Sequence, residues 1–171
     1  LGVGLAAGAR RNVTVLNKRL KAFRKRLSRF KALRGVGVDT ARIMRTGGVA
    51  ALTHGEGSPG VAPSMLAAQR RSVNAAAAPQ SGLGGQELEF AMMIMDGSKT
   101  GKADPAFEAQ TSVEQHWAQA VWNSWMSAAD LQASVDYARG RIDKSPQPWA
   151  AVTGPAAALI RTLQRLALRP P

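Results

Sequence analysis

Val13-Thr14-Val15-Leu16-Asn17-Lys18-Arg19-Leu20-Lys21-Ala22-Phe23-Arg24-Lys25-Arg26-Leu27-Ser28-Arg29-Phe30-Lys31-Ala32-Leu33-Arg34 places apolar residues at 13, 16, 20, 23, 27 and 30. Steps of three and four residues are the helical period, so the spacing predicts one amphipathic helix over 13–34. Asn12 is the expected N-cap and Gly35 the expected C′ residue. At about 100° per residue, Lys18, Lys21, Lys25 and Arg29 lie opposite the apolar stripe, and Arg19, Arg24, Arg26 and Lys31 flank it. Between Asn17 and Arg34 there are nine basic residues and no acid.

Working outward, Gly35-Val36-Gly37 breaks the pattern, and Asp39 or Thr40 caps a second helix toward Leu52, with Gly47-Gly48 as its weak point. His54 through Gly60 reads as a loop, and Pro63 suits the first turn of a helix ending near Ala77. Further helices are expected near 87–95, 112–126, 128–142 and 155–168, with Thr111 or Ser112 and then Ser127 as caps. No segment alternates as a strand would. The expected fold is all-α: a helical thumb-like bundle at 1–78, a linker with one short helix at 79–105, and a second small helical lobe at 106–171.

Charge is segregated along this order. Residues 1–50 hold 13 Lys or Arg against Asp39 alone, while 51–171 hold 10 basic and 10 acidic residues. Such asymmetry marks one surface for a polyanion. The absence of cysteine removes disulfides, thiolate catalysis and Cys-based zinc sites. No apolar run approaches the roughly 18 residues that span a bilayer, so no membrane partner is expected. A chain starting at Leu1 is expected to be processed or cut from a longer protein, and residues 1–38, acid-free and Arg-rich, leave an organellar transit peptide open.

Several motifs carry less than they promise. Gly55-Glu56-Gly57-Ser58-Pro59-Gly60 matches the dinucleotide glycine pattern, but no strand precedes it. Gly97-Ser98-Lys99-Thr100-Gly101-Lys102 is one residue short of a phosphate loop, with Ala103 where Ser or Thr must reach magnesium. Asp96 through Asp104 approaches calcium-loop spacing, yet position twelve is Phe107. His54 and His116 have no carboxylate at metal-binding spacing, so no metal, cofactor or catalytic residue is expected. Trp117, Val121 and Trp125, four apart, read as a core face, with an interface as the other option.

Read in order, several pieces resemble the region after the catalytic palm of non-LTR retrotransposon reverse transcriptases. Leu1-Gly2-Val3 is similar to the end of that family's primer-grip hairpin, and the basic helix falls where its thumb helix would. Arg42 through Glu56 resembles the next helix and its "YG-E" turn, with His54 in place of Tyr. Ser64 through Arg71 looks like the following thumb helix, and Trp149 through Ala158 like a segment after the thumb. The family's paired catalytic aspartates are absent, so the resemblance implies a thumb-and-connector fragment, not catalytic on its own. Its implied partners are a template–primer duplex or RNA and the palm of its parent chain, in a nuclear or other intracellular setting.

The expected function is therefore a grip on the phosphate backbone through Lys18, Arg19, Lys21, Lys25, Arg26 and Arg29. The alternatives are a stand-alone basic helical module binding RNA or an acidic, calmodulin-like partner, an organellar protein with a basic transit peptide, and a membrane-surface helix.

Overall fold

The computed structural model describes residues 11–77 and 102–168. Among them the fold is all-α, with no strand. The helices are α1 (Thr14–Arg24), α2 (Leu27–Gly35), α3 (Thr40–Ile43), α4 (Val49–Thr53), α5 (Pro63–Ala77), α6 (Pro105–Trp122), α7 (Ala128–Asp143) and α8 (Pro155–Arg165). The helix expected near 87–95 and the linker around it lie outside the described residues. So does the phosphate-loop look-alike, apart from Lys102.

The chain forms two compact units interleaved in sequence, where the sequence expectation divides it serially. One takes the described parts of 1–15, 55–62 and 109–171; the other takes 16–54 and 63–108. In the second unit, Leu20 and Phe23 from α1 join Met44, Val49, Leu52, Val73, Ala76, Ala77 and Ala103 in one buried cluster. Leu27 and Phe30 from α2 pack against it half-buried, and the Phe23 and Phe30 rings stand 5.9 Å apart. The apolar stripe therefore docks as its period requires, and α2 lies against α3 and α5.

The single helix expected over 13–34 is two helices separated by a turn at Lys25-Arg26. There the ladder tightens, with the Arg26 amide donating to the Phe23 carbonyl at 2.9 Å rather than one residue further back. Lys21/Lys25 and Lys25/Arg29 are like-charged pairs one turn apart with no acid to offset them, which disfavours a continuous helix. α2 also takes in Gly35 as its last residue. Its C′ residue is Gly37, with φ of +83°, and the Val38 amide returns to the Leu33 carbonyl at 3.1 Å in a Schellman closure.

The Asp39 carboxylate caps α3 by accepting from the Arg42 amide at 2.9 Å. The helix then widens into a π turn over Met44–Gly48 before α4. At Gly48, in this turn, a Cβ would lie 2.7 Å from Sδ of the fully buried Met44, so a side chain fits only if that thioether shifts.

In the first unit, α7 packs on α8 around Val113, Val135, Ile142, Val152, Leu159 and Ile160. Ser127 caps α7 as expected, its Oγ accepting from the Asp130 amide at 3.1 Å. α6 begins at Pro105 rather than near 112, because Asp104 supplies the cap: its Oδ1 accepts from the Ala106 amide at 2.8 Å. Thr111 and Ser112 lie inside the helix.

Arginines hold loop 55–62. Arg11 donates to the Pro59 and Gly60 carbonyls and Arg165 to the Val61 carbonyl at 2.8 Å. Arg11, Arg161 and Arg165 place their guanidinium carbons 5.3, 5.5 and 4.9 Å from the centre of the Trp149 ring, in cation–π range. Glu56 is fully buried and electrostatically coupled to Arg11 and Arg165. Burial pushes the Arg11 guanidinium down to about 10, against the attraction of Glu56, and lowers Arg165 as well, with Arg161 adding to the effect.

Candidate nucleic-acid interface

The six residues expected to meet phosphate divide into five and one. Lys18 and Lys21 are exposed on α1, Lys25 and Arg26 are exposed in the turn, and Arg29 is exposed on α2. None of these five makes an ion pair or side-chain hydrogen bond among the described residues. Because the turn interrupts the helix, alignment of Lys18, Lys21, Lys25 and Arg29 on one straight wheel does not carry across it. Their shared exposure does.

Arg19 departs from that expectation. It is half-buried and donates to the carbonyl of His54, at the C-terminal end of α4. Its guanidinium orients α1 within its unit. Arg24, outside the expected set, donates from Nε to the Ser72 hydroxyl on α5 at 3.2 Å, and Ser72 in turn donates to the Ala68 carbonyl at 2.7 Å. With Asn17, Leu20, Lys21 and Lys25 it lines a shallow depression on the same surface.

This surface is anchored beneath and charged above. Leu16, Leu20 and Phe23 are buried, which fixes the backbone, while the lysine stems remain free to follow a polyanion. Geometry and charge suit contact with phosphates, which orients a duplex without reading its sequence.

The remaining candidates resolve into structure. Gly55 and Gly60 adopt φ of +78° and +61°, and Gly57 lies so close to α6 that a Cβ would collide with the His116 ring and approach the Ser112 carbonyl to 2.9 Å. Those glycines serve turns and close approach. Asp104, one of the would-be calcium ligands, is engaged by Arg70 Nε at 3.2 Å. Among the described residues no three His, Cys, Asp or Glu side chains stand together to hold a metal, and no helix is long and apolar enough to cross a membrane.

Trp117, Val121 and Trp125 do not form the expected core face. Trp117 packs half-buried against the core, but Val121 and Trp125 are 52% and 64% exposed. The period fails because α6 stops at Trp122. Ser124 turns left-handed at φ +51°, and the Trp125 amide closes on the Ala120 carbonyl at 3.0 Å, which swings Trp125 off the helical register. Beside it lies a groove of about 560 Å³ whose walls include Trp117, Trp125, Met126, Leu131, Tyr137 and Arg141. Sequence reading did not anticipate the groove; of the apolar cluster at 121–126, only Trp125 and Met126 line it.

Comparison of the chain with protein-family models, with curated proteins and with solved structures finds no match in any of the three.

Proposed function

We propose that this chain is a non-catalytic nucleic-acid-binding segment that grips the phosphate backbone of a duplex through α1, the Lys25-Arg26 turn and α2. The observation that carries this reading is the set of five exposed cations, Lys18, Lys21, Lys25, Arg26 and Arg29, with no acidic partner among the described residues, above a buried apolar stripe. Surface charges that only solubilise are normally interspersed in sign, and acids one turn away would stabilise the helix by a few tenths of a kcal/mol each. Here that stabilisation is forgone over 18 residues, which a polyanionic partner explains.

The resemblance to the thumb and connector of retroelement reverse transcriptases supplies the context. In it the basic helices hold a template–primer duplex for a palm domain that carries the chemistry. Lys18, Lys21, Lys25, Arg26 and Arg29 contact phosphates, and Arg19 and Arg24 hold the helices on α4 and α5. Binding is then tolerant of sequence. The test is the variant Lys21→Glu/Lys25→Glu/Arg29→Glu, measured for duplex binding at moderate salt beside the unchanged protein. Loss of about tenfold or more per pair of lost phosphate contacts supports the grip. Unchanged affinity removes it, and binding of the parent protein only to an acidic polypeptide would replace nucleic acid with a protein partner.

A further inference from the structure

We propose that the depression on α1 seats a terminal phosphate, the phosphomonoester at the end of a nucleic-acid strand. This rests on the reading above that the chain binds nucleic acid, and it gives Arg24 and Asn17 a part that the backbone grip does not use.

Three observations carry it. First, the donors border a hollow instead of standing along a ridge. Asn17, Lys21, Arg24 and Lys25 line a depression of about 530 Å³ with the buried Leu20 among its walls, and no acid is among the described lining residues. The four share one helical register, because the Lys25 amide still donates to the Lys21 carbonyl at 3.1 Å and the ladder tightens only at Arg26. Second, Arg24 is oriented from beneath. Its Nε donates to the Ser72 hydroxyl at 3.2 Å, and Ser72, buried on α5, is itself fixed by donating to the Ala68 carbonyl at 2.7 Å. Arg24 is exposed and has no other side-chain partner among the described residues, so its two Nη nitrogens remain for a ligand. Such a pair matches two oxygens of one phosphate.

Third, the charge suits a monoester better than a diester. Lys21, Arg24 and Lys25 bring three cations to one hollow, and none of them has an acidic partner among the described residues. An internal phosphodiester offers a single charge and two free oxygens, whereas a phosphomonoester carries about −1.5 to −2 at neutral pH and three acceptor oxygens. Lys21 and Lys25 then serve the seat at a strand end and the grip along a duplex. Lys18 provides an internal control: it belongs to the same exposed surface but does not line the depression.

The experiment compares the full chain on one duplex made with 5′-phosphate, 3′-phosphate or hydroxyl ends. It reads the ratio of affinities, which cancels any loss common to all three. One phosphate-ended duplex is expected to bind about tenfold more tightly than the hydroxyl-ended one, the order of one charge-assisted contact, and the arm that shows the preference names the end. Arg24→Lys keeps the charge but loses the paired nitrogens, and removes most of the preference. Ser72→Ala keeps Arg24 but releases it, and Asn17→Ala removes an exposed amide; each reduces the preference. Lys18→Ala lowers all three affinities alike and leaves the ratio unchanged, as an Arg24 with only a structural role would. Circular dichroism checks the fold of each variant, and Asn17→Ala, at an exposed position, carries the test independently of packing. Equal, salt-dependent affinity for all three ends overturns the seat and leaves the grip standing. A preference that survives Arg24→Lys, Ser72→Ala and Asn17→Ala overturns the seat as well. Conversely, a phosphate-ended duplex bound through Arg24, with the hydroxyl-ended duplex not bound at all, sinks the grip and keeps the seat, and binding of none overturns both.

Discussion

Glu56 occupies an electrostatically expensive position: fully buried, it offsets two guanidinium groups that burial already disfavours, Arg11 and Arg165. Removing one member of such a cluster leaves uncompensated charge, which typically costs about 3–5 kcal/mol. Glu56→Gln, nearly isosteric, is therefore expected to lower unfolding free energy by about 3 kcal/mol in a denaturant titration; a change under about 1 kcal/mol would show that the arginines satisfy themselves on carbonyls and Trp149 alone. The Arg11 shift has a definite sign. Its folded pKa of about 10 lies below the ordinary arginine value, so the unfavourable burial of charge is present at every pH below about 10 and is relieved only as pH rises above that value. Arg11 then contributes no slope to stability between neutral pH and about 9. A gentler residue-scale case is Ser124, a non-glycine at φ +51° in the C′ position of α6. The left-handed region costs an L-residue about 1–2 kcal/mol, partly offset by the entropy glycine loses on folding. Ser124→Gly is thus expected to raise the melting temperature, by about 0.5–1 kcal/mol in stability; a lower melting temperature would contradict it.

At the scale of elements, charge and packing compete in α1 and α2. The turn at Lys25-Arg26 keeps both halves of the stripe on the core while breaking the helical register between Lys25 and Arg29. Lys25→Glu is expected to stabilise the unit by about 0.3–0.5 kcal/mol through a pair with Lys21 while weakening nucleic-acid binding. A variant both less stable and unchanged in binding would contradict the trade-off. The π turn depends on Gly48 in the opposite way: Gly48→Ala drives a methyl into buried Met44 and is expected to cost about 1–3 kcal/mol, read as a lower denaturation midpoint. The sequence made much of this visible. Asp39 as a cap, Gly47-Gly48 as a weak point, Pro63, Ser127 and Pro155 as helix starts, and the apolar stripe through Phe23 all follow from local chemistry. What stayed hidden depended on competition or on distance. The break at Lys25 has the same apolar period as a continuous helix, and the α6 start lay in Asp104-Pro105, a cap followed by proline that calcium-like spacing obscured. Trp125 lost its register to a left-handed residue that carries no glycine to announce it. The exposure of Lys18, Lys21, Lys25, Arg26 and Arg29 was legible; the diversion of Arg19 to the His54 carbonyl was not, because it needs a partner 35 residues away.

At the scale of the whole molecule, the two units carry different chemistry. α1, the Lys25-Arg26 turn and α2 carry the basic surface of one unit, and the unit holding 109–168 carries the aromatic groove. On the proposed grip, affinity belongs to the unit that carries α1 and α2, and the 13 basic residues against one acid in residues 1–50 make a salt dependence its expected signature. The most direct measurement is duplex affinity as a function of monovalent salt. Engagement of about five phosphates predicts a slope of log affinity on log salt near −4 to −5, falling by about one for each of Lys21 and Lys25 replaced by alanine. A slope near zero, or one that Lys21→Ala and Lys25→Ala leave unchanged, would contradict the grip.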